Sequence, residues 1–163
     1  MSEHPTSERP SAGPTRWLSA DELQTWRSFV LTTHLLDSTL DHQLQRDSGL
    51  PHAHYMILVI LSEEPEHQLR MSDLARSLRY SPSRMSHAVA SLERNGWIER
   101  RPTPSDRRGQ LALLTDAGMA ALVAAAPGHV AKVRARVFDH LTPDQVAHLG
   151  TICDALLPGL EHC

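Results

Sequence analysis

Two helical patterns joined by a short turn, and followed at once by a hairpin pattern, constrain the fold of this chain more than any other feature. MSDLARSLRY has apolar residues at helical spacing, with Ser72 as the expected N-cap. SPSRMSHAVASLERNG has Ser81 as N-cap, a proline at the first helical position and Asn95-Gly96 as a stop. WIERR and QLALLT then alternate as short strands on either side of an Arg-rich turn. This order predicts a helix-turn-helix followed by a β-hairpin wing.

Helices are also expected on both sides of this segment. Apolar residues make up 40% of the chain and aromatic residues only 4%, which favours helices over a β-sandwich. One helix should extend from Ser19 to about Arg46, and a strongly apolar helix should follow with Pro51 at its first position. Thr115 should cap a long helix that is kinked or broken at the Pro-Gly pair 127–128, and TPDQ forms a capping box for the last helix. The predicted fold class is mainly α with a small β-hairpin wing.

These elements divide into three regions. Residues 1–16 are rich in Pro, Ser and Thr and are expected to form a disordered N-terminal arm. Residues 51–115 form the predicted winged helix-turn-helix domain. Residues 17–50 and 116–163 carry apolar stripes on helices, more than one small monomer needs to bury. They therefore predict a helical dimerisation region and a homodimer.

The charge of the chain is unevenly distributed. The formal net charge is −3, but residues 70–108 contain nine arginines and four acidic residues and so carry +5, which leaves −8 for the remainder. A basic segment in an acidic frame indicates one face directed to a polyanion such as a nucleic acid, and the alternative is an ordinary solvated surface. No apolar run approaches the roughly 18 residues of a membrane span, and the N-terminus lacks the apolar stretch of a signal peptide. We therefore expect a cytoplasmic protein with no membrane partner.

The second helix of the pair combines an apolar face with a face suited to close approach. At about 100° per residue, the apolar side chains that share one face are Met85, Ala88, Val89 and Leu92. The opposite face is small, hydroxylic or cationic, and such side chains can contact base edges in a major groove. The candidate DNA-binding residues of this helix are Ser81, Ser83, Arg84, Ser86, His87 and Arg94. An amphipathic helix with a polar solvent face is the alternative.

The hairpin concentrates four arginines at an exposed position. Arg107 and Arg108 lie at the turn, where guanidinium groups cannot be buried cheaply and where a narrow minor groove would attract them. Asp106 can pair with one of them and hold the turn open for the other. Arg100 and Arg101 lie on the first strand, where one is expected to contact a phosphate and the other to pair with the preceding glutamate or solvent.

Three pieces of the sequence together resemble the MarR family of bacterial winged helix-turn-helix regulators. They are SDLARSLRYSPSRMSHAVASLERNGWIER, the wing tip DRRG, which matches D-x-R-[SG], and LLTDAG, which matches L-T-x-x-G, and the similarity extends over roughly residues 23–157. The resemblance implies a homodimer that binds a palindromic operator in double-stranded DNA through major-groove helices and minor-groove wings, commonly as a repressor. It also implies that Arg108 enters the minor groove and that Arg107 lies nearer the backbone.

The resemblance further implies a crevice for a small aromatic or anionic effector. On this chain the crevice would be lined by Trp26, Val30, His54, Tyr55 and Leu58. The alternative is that these are core and interface residues. Members that sense peroxide use a cysteine on the first helix, and neither Cys153 nor Cys163 lies there. Members that sense metals use His, Cys and carboxylate clusters, but the two rings of HAH at residues 52–54 point about 200° apart on a helix, which is poor chelating geometry. No metal site is expected.

Other functions are weaker alternatives. A winged helix that binds protein would need an exposed apolar patch on the second helix of the pair, which that helix lacks. A metal-responsive regulator stays open because the chain contains eleven histidines. An enzyme is not expected, because the chain contains no P-loop, G-x-G-x-x-G, G-x-S-x-G or H-E-x-x-H motif. The predicted activity requires no cofactor.

Overall fold

The fold is described from a computed structural model of the chain. The backbone is described for residues 15–103 and 106–160, and the side chains for the same residues except 106–108. The elements are α1 (Ala20–Ser48), α2 (His52–Glu63), β1 (Gln68–Arg70), α3 (Met71–Ser77), α4 (Pro82–Arg94), β2 (Ile98–Thr103), β3 (Asp106–Leu114), α5 (Asp116–Arg136) and α6 (Pro143–Leu160), with short 3₁₀ turns at Pro65–His67 and Phe138–His140. The chain divides after His34, within α1, into two units that are described separately.

The first unit contains the N-terminal half of α1. The helix begins with a capping box, in which the Ser19 hydroxyl accepts a hydrogen bond from the Glu22 backbone N–H at 3.2 Å and the Glu22 carboxylate accepts one from the Ser19 N–H at 2.7 Å. The large apolar side chains here are exposed, Trp17 at 84% and Trp26 at 54%. No described side chain of this unit is buried.

The second unit contains the hydrophobic core and the sheet. α2 is its most buried helix, because Ile57, Leu58 and Leu61 are each fully excluded from solvent. They form one cluster with side chains of α3, α4, β2, β3 and α5, including Leu74 and Leu92. Burial of such side chains is the main favourable term in folding. The core therefore fixes the positions of the helix pair α3–α4 and of the strands that follow it.

The sheet has three antiparallel strands in the order β1-β3-β2. β3 is central and pairs Ala112 with both Leu69 of β1 and Arg100 of β2. The hairpin β2–β3 confirms the predicted wing. Strand β1 was not predicted, because Gln68–Arg70 is too short to show a strand alternation.

Most helix boundaries follow the predicted signals. Gly49 and Gly96 adopt left-handed φ values of 64° and 71° just beyond the ends of α1 and α4, and the value at Gly96 confirms the predicted Asn95-Gly96 stop. Three predictions were wrong, one of them in part. Pro51 is the N-cap of α2 and not its first residue, because the helix begins at His52. Ser72 is not an N-cap, because α3 begins at Met71. α5 continues through Pro127, so the predicted break is absent. Pro127 and Val123, whose carbonyl would accept the hydrogen bond that proline cannot donate, are both exposed residues. None of the helices in the described ranges has the length and apolar character needed to span a membrane.

Candidate nucleic-acid interface

Helix α4 follows α3 after a tight turn and has one buried face. The Ser81 hydroxyl accepts a hydrogen bond from the Arg84 backbone N–H at 3.2 Å, and Pro82 is the first residue of the helix, so α4 begins as predicted. The four apolar positions predicted from helical spacing are all buried, namely Met85, Ala88, Val89 and Leu92. This burial determines which side chains of α4 project outward.

The opposite face of α4 is exposed and little engaged. Ser83, Arg84, Ser86 and His87 are all exposed, and we call these four residues the α4 polar face. Within the described ranges none of their side chains forms a hydrogen bond or an ion pair. Arg84 makes one contact, in which its guanidinium carbon lies 3.9 Å from the centroid of the Tyr80 ring. Hydroxyl, imidazole and guanidinium groups with spare hydrogen-bonding capacity thus project from one side of a helix.

The other two candidate residues, Ser81 and Arg94, lie at the two ends of α4, and each interacts with a nearby residue. Ser81 is the N-cap, and its hydroxyl accepts the hydrogen bond from the Arg84 N–H. Arg94, in the last turn, is exposed and lies close enough to α2 to influence His54. Burial lowers the pKa of His54, and the positive charge of Arg94 lowers that pKa further. The α4 polar face therefore lies between these two residues.

The first strand of the wing holds both of its arginines in ion pairs. Arg100 reaches back to α4, where its Nε and Nη2 atoms lie 2.7 Å and 2.5 Å from the Glu93 carboxylate. The hydrogen bond from Arg100 lowers the pKa of Glu93. Arg101 pairs with Glu99 at 2.9 Å, as predicted for one of the two arginines, and lowers the pKa of Glu99. With Arg101 paired to Glu99, Arg100 is left as the arginine for a phosphate contact, which stays a prediction. Its ion pair with Glu93 was not predicted from the sequence.

The second strand of the wing begins with Asp106, Arg107 and Arg108. The backbone of Asp106 is paired with Thr103, and the register between the strands is irregular next to Thr103. The three side chains lie outside the described part of the molecule. The pairing of Asp106 with an arginine and the minor-groove role of Arg108 therefore stay predictions.

The residues expected to line an effector crevice have different surroundings. Tyr55 and Leu58 are buried in the core of the second unit, at 6% and 0% exposure, and burial raises the pKa of Tyr55. For these two the alternative assignment as core residues applies. His54 is half-buried in the same unit. Trp26 and Val30 belong to the first unit, where both are exposed.

Two histidines, His52 and His129, form a ring contact that was not predicted from the sequence, and His129 also contacts Tyr55. The ring centroid of His129, on α5, is 4.5 Å from that of Tyr55 and 5.5 Å from that of His52. Burial lowers the pKa of His129, as does the neighbouring His52, and the buried His129 Nδ1 has no hydrogen-bond partner in the described ranges. His52 Nδ1 lies 3.2 Å from a carboxylate oxygen of Asp37. Among the described residues, no three His, Cys, Asp or Glu side chains form a group that could hold a metal ion.

The arrangement of helices and strands defines a class of protein. A helix pair whose second helix exposes a polar, cationic face, followed by a β-hairpin, is a winged helix-turn-helix. The sequence model of the MarR family matches residues 48–109. Sco3205, a MarR family transcriptional regulator from Streptomyces coelicolor crystallised in complex with DNA, is 51% identical over 90% of this chain and 92% of its own, with a TM-score of 0.87. The chain belongs to the MarR family.

Two further relatives agree with this membership. AbsC, another MarR family transcriptional regulator from Streptomyces coelicolor, is 40% identical over 91% of this chain and 97% of its own, with a TM-score of 0.82. The transcriptional repressor MprA of Escherichia coli (strain K12) is 29% identical over 90 residues, which are 54% of this chain and 51% of MprA. The chain thus spans about half the length of this curated relative. All three relatives are described as regulators of transcription and none as an enzyme.

Proposed function

We propose that this protein is a transcriptional repressor that binds a palindromic DNA operator as a homodimer. In this proposal α4 inserts into the major groove, and the wing, residues 100–112, contacts the adjacent minor groove. The observation that carries the proposal is the α4 polar face, because its exposed side chains form no hydrogen bond or ion pair in the described ranges and can bond base edges. The DNA complex of Sco3205 and the repressor name of MprA support the proposal as properties of relatives.

We divide the proposed protein–DNA contacts into those with the bases and those with the DNA backbone. Arg84 is the proposed partner of a guanine, because arginine can bond the O6 and N7 atoms of that base together. The other base-reading side chains are proposed to be Ser83, Ser86 and His87. Ser81 and Arg94, at the ends of α4, and Arg107, in the wing, are proposed to lie near phosphates. Arg108 is the proposed minor-groove residue, with Asp106 as its organising partner.

A second copy of the chain is proposed to cover apolar side chains that one chain leaves exposed. No described residue of α6 is buried. Its exposed apolar residues are Leu149, Ile152, Leu156, Leu157 and Leu160. Regions 17–50 and 116–163 are therefore the proposed dimerisation region, and 51–115 is the proposed DNA-binding domain. Two half-sites would lie about one DNA turn apart, roughly 34 Å.

A small aromatic or anionic effector is proposed to modulate this dimer in the cytoplasm. Such a ligand changes DNA affinity only by the difference between its affinities for the DNA-binding form and the non-binding form. The family resemblance supports this part of the proposal, and the half-buried imidazole of His54 supplies an ionisable group that an acidic ligand could approach.

Fluorescence anisotropy with duplex DNA from immediately upstream of the gene tests the proposal. We expect saturable binding, at two protomers per site, that survives an excess of unrelated DNA. Arg108→Ala should weaken this binding and reduce the slope of log affinity against log salt by about one. Arg101→Ala is the matched control and should change binding less, because Glu99 already neutralises Arg101. A lack of sequence preference, both for this DNA and after selection from random sequence, would contradict the proposal.

A further inference from the structure

Tyr80 lies directly before the N-cap of α4 and contacts one residue of the α4 polar face. The Arg84 guanidinium carbon lies 3.9 Å from the centroid of the Tyr80 ring, a distance at which the negative face of an aromatic ring attracts a cation. Arg84 is exposed, and no carboxylate in the described ranges pairs with it. The Tyr80 ring is thus its partner within the described part of the chain.

The turn between α3 and α4 fixes both members of this contact. Tyr80 is half-buried and packs against the hydrophobic core, and its backbone N–H donates a hydrogen bond to the Ala75 carbonyl at 2.9 Å. The preceding residue, Arg79, has a left-handed φ of 53°, which turns the chain sharply before the helix. The backbone of Arg84 is held by the Ser81 hydroxyl at 3.2 Å. The ring and the backbone of the arginine are therefore held by the same few residues.

We propose that Tyr80 is a positioning residue that orders Arg84 for base recognition and so helps to determine the operator sequence. The inference rests on the proposed function. A ring against the guanidinium leaves its N–H donors available, and these donors are the groups that bond guanine O6 and N7. Arginine has many rotamers, and a side chain that is already ordered in the free protein loses less entropy when it contacts DNA. Tyr80 acts through Arg84 and needs no contact of its own with a base.

A double-mutant cycle tests this role. The probe is a duplex that wild-type protein has enriched from a random-sequence library, compared with a scrambled duplex of equal length. Tyr80→Leu removes the ring and keeps apolar volume, Tyr80→Phe keeps the ring, and Arg84→Ala removes the guanidinium. We expect Tyr80→Leu to weaken binding of the enriched duplex about two- to fivefold without changing binding of the scrambled one. Tyr80→Phe should match wild type, and Tyr80→Leu should have no further effect in the Arg84→Ala background.

Two results would overturn the inference and leave the proposed function intact. One is an equal effect of Tyr80→Leu with and without Arg84, and the other is equal weakening on the enriched and scrambled duplexes. Either result would mean that Tyr80 has only a structural role. Thermal unfolding at matched protein concentration identifies a variant that folds poorly, and Tyr80→Met then replaces Tyr80→Leu in the same cycle. If selection enriches no sequence at all, the proposed function itself is contradicted, and this inference with it.

Discussion

At position 118 the neighbouring atoms leave room only for glycine. A Cβ atom at this position would collide with the Trp97 carbonyl oxygen and would lie 2.7 Å from the Leu114 side chain. Trp97 is held against α5 by a hydrogen bond of 3.1 Å from the Thr115 N–H to the same carbonyl. Because that oxygen belongs to the backbone, it cannot move aside as a flexible side chain could. The glycine is thus required where α5 begins beside the base of the wing.

Gly118→Ala should lower the free energy of unfolding by about 1–3 kcal/mol, the usual cost of overpacking a rigid site. Gly128→Ala is the matched control, because its Cβ would meet only side-chain ends among the described residues, Gln43 Nε2 at 3.3 Å and Asp47 Oδ2 at 4.0 Å. That change should lie within about 1 kcal/mol of wild type, since alanine also favours the helix. Urea denaturation at one protein concentration measures both. Equal stability of the two variants would show that the contact with Trp97 is not restrictive.

The half-buried His129 should make the stability of the protein depend on pH. Burial lowers its pKa below the ordinary value of 6.5, so the folded state favours the neutral ring. The unfolded chain then binds more protons, and stability is lost as the pH falls through 6.5 towards the lowered pKa of the folded state. His129→Phe keeps a ring against Tyr55 and should reduce this loss without abolishing it, because the lowered pKa of His54 acts in the same direction. Urea midpoints at pH about 7.5 and about 5.5 measure the difference, and an unchanged pH profile in the variant would contradict this role.

At the scale of elements, the ion pair between Arg100 and Glu93 ties the wing strand β2 to helix α4. Both side chains are 28% exposed, so the pair is partly screened from solvent. Glu93→Gln should lower the free energy of unfolding by about 1 kcal/mol near neutral pH. Folding lowers the pKa of Glu93 below the ordinary value of 4.5. The stabilisation from the ion pair is therefore fully present above pH 4.5 and is lost as the pH falls towards the lowered pKa.

The matched control for this pair is Glu99→Gln. Glu99 also pairs with an arginine, Arg101, but both side chains are more than half exposed, so the change should have little effect on unfolding. Thermal unfolding at neutral pH and at pH about 4 would compare the two variants. A larger effect of Glu99→Gln would mean that the contact between β2 and α4 does not stabilise the wing.

Signals for helix ends were predictable because they are local. The capping boxes at Ser19 and Thr142 and the cap at Ser81 each involve residues three apart, so the sequence alone displays them. The start of α3 was not predictable in this way. Arg70 is paired with Leu111 in the sheet, and the chain leaves that strand directly into the helix, which excludes Ser72 from the cap position.

In the candidate site, too, the features that depend on local sequence were predictable and the contacts between different elements were not. The α4 polar face followed from helical spacing, because its orientation depends only on which side of one helix is buried. The salt bridge of Arg100 with Glu93 and the contact of His52 with His129 join different elements, and no sequence spacing indicates them. Tyr80 and Arg84 are four residues apart, so their contact could have been anticipated from an aromatic residue just before a helix and an arginine in its first turn.

At the scale of the whole molecule, charge and exposed apolar side chains are both unevenly distributed, and each distribution indicates a kind of partner. Positive charge is concentrated in residues 70–108, while the remainder is acidic. Apolar side chains are left exposed in the first unit and along α6, where Ile152 is 54% exposed and Leu156 47%. Exposed apolar surface of this extent is unfavourable in water and is typical of an interface. In our proposal a nucleic acid binds the basic segment, and a second copy of the chain covers the exposed apolar side chains.

Leu156→Glu should therefore prevent assembly of the proposed dimer. A carboxylate in the apolar stripe of α6 could not be buried against a second copy without a partner, which would cost several kcal/mol. Thr151→Glu is the matched control, because Thr151 lies on the opposite side of α6 from the apolar stripe. Its hydroxyl donates a hydrogen bond to the Ala147 carbonyl of its own helix, 3.1 Å away. Sedimentation velocity should show a monomer for Leu156→Glu and a dimer for Thr151→Glu and wild type.

The same two variants connect assembly with DNA binding. A monomer engages one half-site and loses the gain of a linked second contact, so its affinity for the full operator should fall by about 10² or more. Binding of the Leu156→Glu variant to an isolated half-site should stay within about twofold of wild type, because the α4 polar face is unchanged. If Leu156→Glu stays dimeric, α6 is not the interface. If it becomes monomeric and still binds the full operator as tightly as wild type, the second copy contributes nothing to recognition, and the operator need not be palindromic.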